Sequence, residues 1–359
     1  MTDDNAARGE VLQLCPHDHP PFADLCVVYA KALRQLGLKC TTVFFSPPLG
    51  TPVKSAMYLH AKSLRDSKAL ARDLDDQLPR PSQYRLAICH RYRSWRVLKA
   101  SAIEAQRTVA VAHEFHFFDK TMRKILVRFD RRTVFAGISP AVVEDLRKSV
   151  ARCICLPNAV DVDREKSAML SRDEAQERLG LEAGPFTIGV VGRLHPKKQP
   201  ELALEAFRAA KLEGARLVFV GDGPLRGRLE QGDPGVVFSG FVPDARRCYR
   251  GLDALLLTSG DVEAFGMVAL EGLLAGIPVI CQNVAGPADV LGDMGFYYER
   301  PDPNAIALAL RAVQTALIPR EEWAQRAEAR VRAEYSVEAV ARRIAAELNL
   351  TPINSPPAN

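Results

Sequence analysis

Short apolar runs alternate along this chain with stretches whose apolar residues recur every three or four positions, almost from end to end. Runs of four to six apolar and β-branched residues read as strands buried on both faces, and the helical spacing between them reads as helices that cover those faces. In the first half the expected strands are residues 11–15, 40–45, 86–89, 109–112, 135–138 and 153–156, with a helix over 23–36 that stops before Gly37. The run Ser46-Pro47-Pro48-Leu49-Gly50 reads as a loop, followed by a charged helical excursion to Leu78. A polar break over 161–184 precedes a second series, at 186–191, 215–220, 236–239, 254–258, 279–281 and 296–298, with helices over 200–211 and 266–275. Repeated βα units imply parallel sheets, so the expected class is α/β with two Rossmann-like domains facing a central cleft. Ligands are then expected at the C-terminal ends of strands. The expected division is 1–163 and 164–334, with a helix over about 335–350 returning to the first domain and 351–359 as a tail.

Composition narrows the class. A length of 359 residues suits two domains, and 47% hydrophobic with 25% charged residues is ordinary for a globular chain. No apolar run approaches the roughly 20 residues that span a bilayer. The acidic, polar start does not read as a secretory signal, and eight cysteines without metal-ligand spacing read as reduced thiols, so the expected location is the cytoplasm. Cys153 and Cys155 alternate along an apolar strand, which reads as structural and not as half of a zinc site.

The net charge of +5 hides an asymmetry. Residues 1–163 carry 25 Lys+Arg against 17 Asp+Glu, and residues 91–132 alone hold 11 against 4. Such a block fits an anionic glycan, the inner face of a membrane, or plain solvated helix faces. Nucleic acid is the rival partner for a basic chain, but neither an aromatic stacking run nor a known binding motif accompanies the charge.

The second half carries the chemistry. Gly192 and Arg193 follow a strand and Lys198 lies five residues on, so two long cations can reach one anionic group. Gly221-Asp222-Gly223-Pro224 follows the next strand. Glu263-Ala264-Phe265-Gly266-Met267-Val268 opens a helix whose N-terminal N–H groups suit a diphosphate, and Glu271 in its second turn can accept from paired hydroxyls, as a carboxylate does on ribose. Two motifs invite other readings. Gly221, Gly223 and Gly227 spell a dinucleotide-like pattern without its other parts, and Asp161-Val162-Asp163 spells a metal-binding D-x-D.

Taken in order, Pro157-Asn158-Ala159-Val160-Asp161, Gly192-Arg193 with Lys198, and Glu263 eight residues before Glu271 resemble the retaining GT-B glycosyltransferases of family 4, the glycogen-synthase and mannosyltransferase superfamily. The resemblance is strong over 150–345 and weak over 10–150. It implies that Arg193 and Lys198 contact a donor diphosphate, Glu263 the donor sugar and Glu271 the ribose, with the loop Gly240-Phe241-Val242 beside the base. It also implies that the D-x-D belongs to the linker motif, that no metal or other cofactor is needed, and that the sugar is a hexose moved to a glycan or lipid-linked glycan hydroxyl, as in lipopolysaccharide core synthesis. The donor base is expected to be uridine before guanosine. Acceptor and leaving group share one face of the sugar in this family, so no protein nucleophile is required.

The first half departs from the family. Its glycine-rich loop is replaced by Pro16-His17-Asp18-His19-Pro20-Pro21-Phe22, so His17, Asp18 and His19 are candidates for sugar-side contacts. His113 occupies the family's strand-end histidine position, with His116 as its expected neighbour on the acceptor side. Two rivals stay open: a sugar-nucleotide 2-epimerase of the same fold, and a non-enzymatic nucleic-acid-binding protein.

Overall fold

The computed structural model describes residues 10–19, 21–59, 66–78, 83–128, 130–260, 263–316 and 319–350; the expected tail 351–359, Pro20 and Phe129 lie outside them. The chain divides into two compact units, Met1–Val160 with Glu334–Asn359, and Asp161–Ala333.

The first unit runs β1 (Glu10–Cys15), α1 (Phe22–Gln35), β2 (Lys39–Phe44), β3 (Ala56–Tyr58), α2 (Ser67–Gln77), β4 (Gln83–His90), α3 (Arg91–Ala100), β5 (Glu104–Ala112), α4 (Thr121–Arg128), β6 (Thr133–Gly137), α5 (Pro140–Arg147) and β7 (Cys153–Cys155). Its strands form one parallel sheet in the order β3-β2-β1-β4-β5-β6-β7. The order reverses between β1 and β4. A crevice opens at such a point because the following loops leave in opposite directions.

The second unit runs α6 (Val162–Ala168), α7 (Arg172–Leu179), β8 (Phe186–Val191), α8 (Pro200–Ala210), β9 (Ala215–Val220), α9 (Arg226–Leu229), β10 (Val236–Gly240), β11 (Ala254–Leu256), α10 (Met267–Ala275), β12 (Val279–Gln282), α11 (Pro287–Leu291), β13 (Gly295–Tyr298), α12 (Pro303–Thr315) and α13 (Arg320–Glu334). Its parallel sheet has the order β10-β9-β8-β11-β12-β13, the Rossmann order, with the reversal between β8 and β11. Apolar residues of β8, β9 and β11 pack against α8 and α12 in one core that includes Ile188, Leu204, Leu217, Phe219 and Leu310. Burial on both faces is why these strands read as largely apolar runs, with Thr187 and Arg216 as polar exceptions.

The last helix, α14 (Val337–Glu347), returns to the first unit and packs on α1. The return is fixed by a backbone bridge from Val160 to Ser336, a 2.9 Å bond from Val160 N–H to the Tyr335 carbonyl, and a 2.8 Å bond from Gln35 to Glu338.

The chain departs from its apolar pattern in three places. The excursion expected to be helical contains the edge strand β3, whose three residues are too few to show a period. Strands β4 and β5 begin three and five residues earlier than their apolar runs, because Gln83, Glu104 and Arg107 join the ladder through backbone bonds that side-chain polarity does not reveal. The helix after Gly223 is only the four residues of α9.

Candidate active site

In the second unit the residues singled out by sequence gather at the C-terminal ends of β8 to β11. Arg193 and Lys198 follow β8, and Glu263 follows β11, so they flank the point where the strand order reverses. Lys198 sits in a short 3₁₀ turn, Pro196–Lys198, whose carbonyl accepts a 2.7 Å bond from the Thr258 hydroxyl just past β11. Lys198 Nζ lies 2.5 Å from Glu263 Oε2, which also accepts from the Ser259 hydroxyl at 3.1 Å. Lys198 and Glu263 are therefore one preorganised pair, still partly open to solvent at 42% and 23% of their side chains. Arg193 is exposed on the same loop.

Glycine permits the loops to approach each other. Gly221 has φ of +146°, and a Cβ there would stand 2.0 Å from the Gly192 carbonyl oxygen; a Cβ on Gly223 would stand 2.3 Å from the Leu194 carbonyl oxygen. The approach is held by bonds from Gly192 N–H to Val220, Leu194 N–H to Asp222 and Gly221 N–H to Gly240. Gly227 meets nothing within 4 Å. Two glycines of the dinucleotide-like pattern thus serve backbone contact within the unit, and the third serves no close approach.

Phe241 and Val242 follow β10, with Phe241 76% exposed. Phe265 is buried, and Gly266 stands at the N-cap of α10 with φ +90°, so that Met267 and Val268 open the helix. Glu271 in α10 accepts a 3.1 Å bond from the buried Tyr249 hydroxyl. Burial first, and then the Glu271 charge, push the Tyr249 phenol upward, so it remains a donor that holds the carboxylate in place. Tyr249 escaped the sequence reading because it lies in a 3₁₀ segment, Ala245–Gly251, with no motif of its own. The D-x-D carboxylates separate: Asp161 caps α6, and Asp163 pairs with Arg332 at 2.5 Å. Among the described residues no three His, Cys, Asp or Glu side chains are grouped to hold a metal ion.

In the first unit a buried polar chain ends at His113. Gln13, fully buried in β1, gives its amide N–H to the Cys26 carbonyl at 3.0 Å and the Thr42 hydroxyl at 2.9 Å. Its amide oxygen therefore faces His90 Nε2, at 3.1 Å, which must carry the proton. His90 Nδ1 is then an acceptor, and His113 Nε2, 3.0 Å away, donates to it. The chain fixes the His113 tautomer and leaves His113 Nδ1 as an acceptor. Burial holds the His90 imidazole down at about 3 and lowers His113 well below its usual value, so both rings stay neutral. Residues Gln13 and His90 were not legible as site residues, since each interrupts a strand that packing alone would explain.

His113 thus has His90 as its hydrogen-bonded neighbour. His116 is exposed, carries a left-handed φ of +66° and pairs with Asp119 at 3.2 Å. Asp18 is buried and accepts from the Tyr58 hydroxyl at 3.1 Å, while His17 packs edge-on against Phe22, which in turn meets His113 edge-on. His19 is exposed, with its ring 4.7 Å from that of His17.

The neutral pair has a consequence for stability. A histidine whose folded value is depressed takes up a proton in the unfolded chain first, so folding stability falls as pH drops below about 6.5. For His90 the loss is expected to continue toward pH 3, at about 1.4 kcal/mol per pH unit. Thermal melts at pH 7, 6, 5 and 4 check this: the first unit should melt lower at each step, and His90→Gln should flatten the slope.

Residues 171–330 match the family described as Glycosyl transferases group 1. A GDP-mannose-dependent alpha-mannosyltransferase of Mycobacterium tuberculosis is 35% identical over 133 residues, 36% of this chain and 34% of that protein. A 2-deoxystreptamine glucosyltransferase of Streptomyces kanamyceticus is 36% identical over 149 residues, 38% of each chain. The matched part therefore spans little more than a third of these relatives' length. The fold as a whole is similar to that of Anabaena HepE, solved in complex with UDP and glucose, with a TM-score of 0.74 and 18% identity over 95% of this chain and 99% of that one.

Proposed function

From a chain in which residues 171–330 form a group 1 glycosyltransferase domain and two parallel-sheet units have the GT-B fold, we propose a retaining glycosyltransferase that draws a hexose from a nucleoside-diphosphate sugar. The observation that carries this reading is the grouping of Arg193, Lys198, Glu263 and the N-terminus of α10 around one reversal of strand order.

Cleavage of a glycosyl–phosphate bond places new negative charge on the departing diphosphate. In this reading Arg193, Lys198 and the N–H groups of Met267 and Val268 receive that charge, and fixed donors of this kind act without reorganising. Glu263 orients the transferred sugar and, through its pair with Lys198, couples that sugar to the leaving group. Glu271, steadied by Tyr249, holds the ribose, and Phe241 with Val242 flanks the base. His113 presents Nδ1 as an acceptor on the sugar side, with His17, Asp18 and His19 on the loop after β1. Uridine is the proposed base before guanosine, and a glycan or lipid-linked glycan hydroxyl, as in lipopolysaccharide core, is the proposed acceptor. Fixed cations take the place of a metal ion in this scheme. The exposed Met122 and Ile125 of α4, interleaved with Arg123, Lys124 and Arg128, support peripheral contact with the anionic inner face of a membrane.

The two glutamates separate binding from chemistry. Glu271→Ala is expected to weaken UDP or GDP affinity roughly ten- to hundredfold, since a hydrogen bond to a charged group contributes about 1.5–3 kcal/mol. Glu263→Ala should leave nucleotide affinity within a factor of about two and act mainly on turnover. Calorimetric titration of both variants checks the assignment, and equal losses of nucleotide affinity would contradict it.

A further inference from the structure

The reversal of strand order in the first unit, between β1 and β4, has its own pocket. It measures about 410 Å³ and is lined by the loop after β1, the start of α3 and residues near α4. Its charge is one-sided: Arg91, Arg93, Arg96 and Arg123 against Glu114. Glu114 compensates little, since it approaches Arg91 only to 3.8 Å and is itself 65% exposed.

These guanidinium groups are held in place by groups other than carboxylates. Arg123 donates to the Phe117 carbonyl at 2.9 Å and lies 4.3 Å from the Tyr92 ring centre. Arg91 stacks over Phe22 at 4.7 Å. Holding cations on rings and carbonyls keeps their charge uncancelled. Arg91 Nε and His17 Nδ1, on two residues that line this pocket, are buried without a hydrogen-bond partner among the described residues. Buried polar atoms of this kind lose free energy until something binds them. Arg91 also takes a left-handed φ of +70° as the first residue of α3, a strained conformation for a non-glycine. Helix α3 starts with no side-chain cap and no acidic residue in its first turn, so its N–H groups add to the positive field.

We propose that this pocket is a phosphoryl-recognition site that holds a phosphate group of the acceptor. Planar forks match phosphate oxygens bidentately, and three or more of them around one concavity suit a dianion better than a neutral glycan. The assignment to the acceptor rests on the transferase reading; phosphoryl binding itself does not. The same chemistry is presented by a small sugar phosphate and by a phospholipid headgroup.

The test uses the whole chain and two probes, glucose 6-phosphate and vesicles of phosphatidylglycerol in phosphatidylcholine. Arg96→Gln and Arg123→Gln are compared with wild type, with Arg193→Ala as the control for phosphate bound in the second unit. Melting temperature without ligand reports whether each variant is folded, and Arg93→Gln serves if either is not. Loss of one charged contact is expected to weaken binding roughly tenfold. A tenfold loss for glucose 6-phosphate in the first-unit variants, absent from Arg193→Ala, supports a soluble phosphorylated acceptor; a loss confined to vesicles supports a headgroup. If folded first-unit variants bind both probes as wild type does, or only Arg193→Ala loses phosphate, the proposal is overturned. Nucleotide binding is measured on the same samples. UDP and GDP binding with no phosphoryl effect would overturn only the pocket, whereas phosphoryl binding with no nucleotide binding would overturn only the transferase reading.

Discussion

Replacing Lys198 by alanine is expected to lower kcat by about 10²–10³-fold while the fold survives, the range seen when one fixed donor to a developing charge is removed. Lys198 is positioned from three directions: by the 3₁₀ turn after β8, by the Thr258 hydroxyl on its carbonyl and by Glu263 on its ammonium. Its removal leaves Glu263 with the Ser259 hydroxyl and partial access to water, which is why stability should change little. Arg193→Ala should act in the same direction. In the proposed scheme these cations take the place of a metal at the diphosphate, so excess EDTA should leave turnover unchanged. Activity lost in EDTA and restored by Mn²⁺ would return Asp161 and Asp163 to consideration as ligands. Rates measured under saturating donor, with and without chelator, decide between them.

A second large effect is expected on folding. Gly221→Ala should destabilise the second unit by about 3 kcal/mol or more, because its Cβ would meet the carbonyl oxygen of Gly192, a residue tied to Val220 through its own N–H, at a φ that alanine avoids. Side-chain repacking cannot relieve a clash between Cβ and main chain. Gly227→Ala is the matched control: it lies in α9 with open space around it, so it should be neutral or slightly stabilising. Chemical denaturation of the two variants measures the difference. Equal stability would show that the loops after β8 and β9 do not depend on that approach.

The parallel sheets were legible because strands buried on both faces leave largely apolar runs, even where a single polar residue such as Gln13 or Arg216 falls within one. Strand starts were not, since Gln83 and Glu104 pair through backbone alone. Candidate residues of the second unit were legible as a spaced motif, and the structure brings Lys198 and Glu263, 65 positions apart, to one ion pair. Tyr249 had no such signal, because its importance comes from the side chain it touches. In the first unit the histidine loop was legible as unusual chemistry but not its wiring. Gln13 lies in β1, His90 ends β4 and His113 directly follows β5, and only the register of these three strands aligns them. The basic block was visible as composition, whereas the pocket depends on Arg91, Arg96 and Arg123 turning toward one concavity from two helices.

The central claim is transfer of a hexose with its anomeric configuration kept, and proton NMR of the reaction tests it most directly. The protein is incubated without added metal with UDP-glucose, UDP-galactose or GDP-mannose and a panel of glycan and phosphorylated acceptors. The account predicts release of nucleoside diphosphate from one of these donors and a new glycosidic signal of the same anomeric form as that donor. A product of inverted configuration, or a sugar nucleotide epimerised without acceptor and without release of diphosphate, would contradict it.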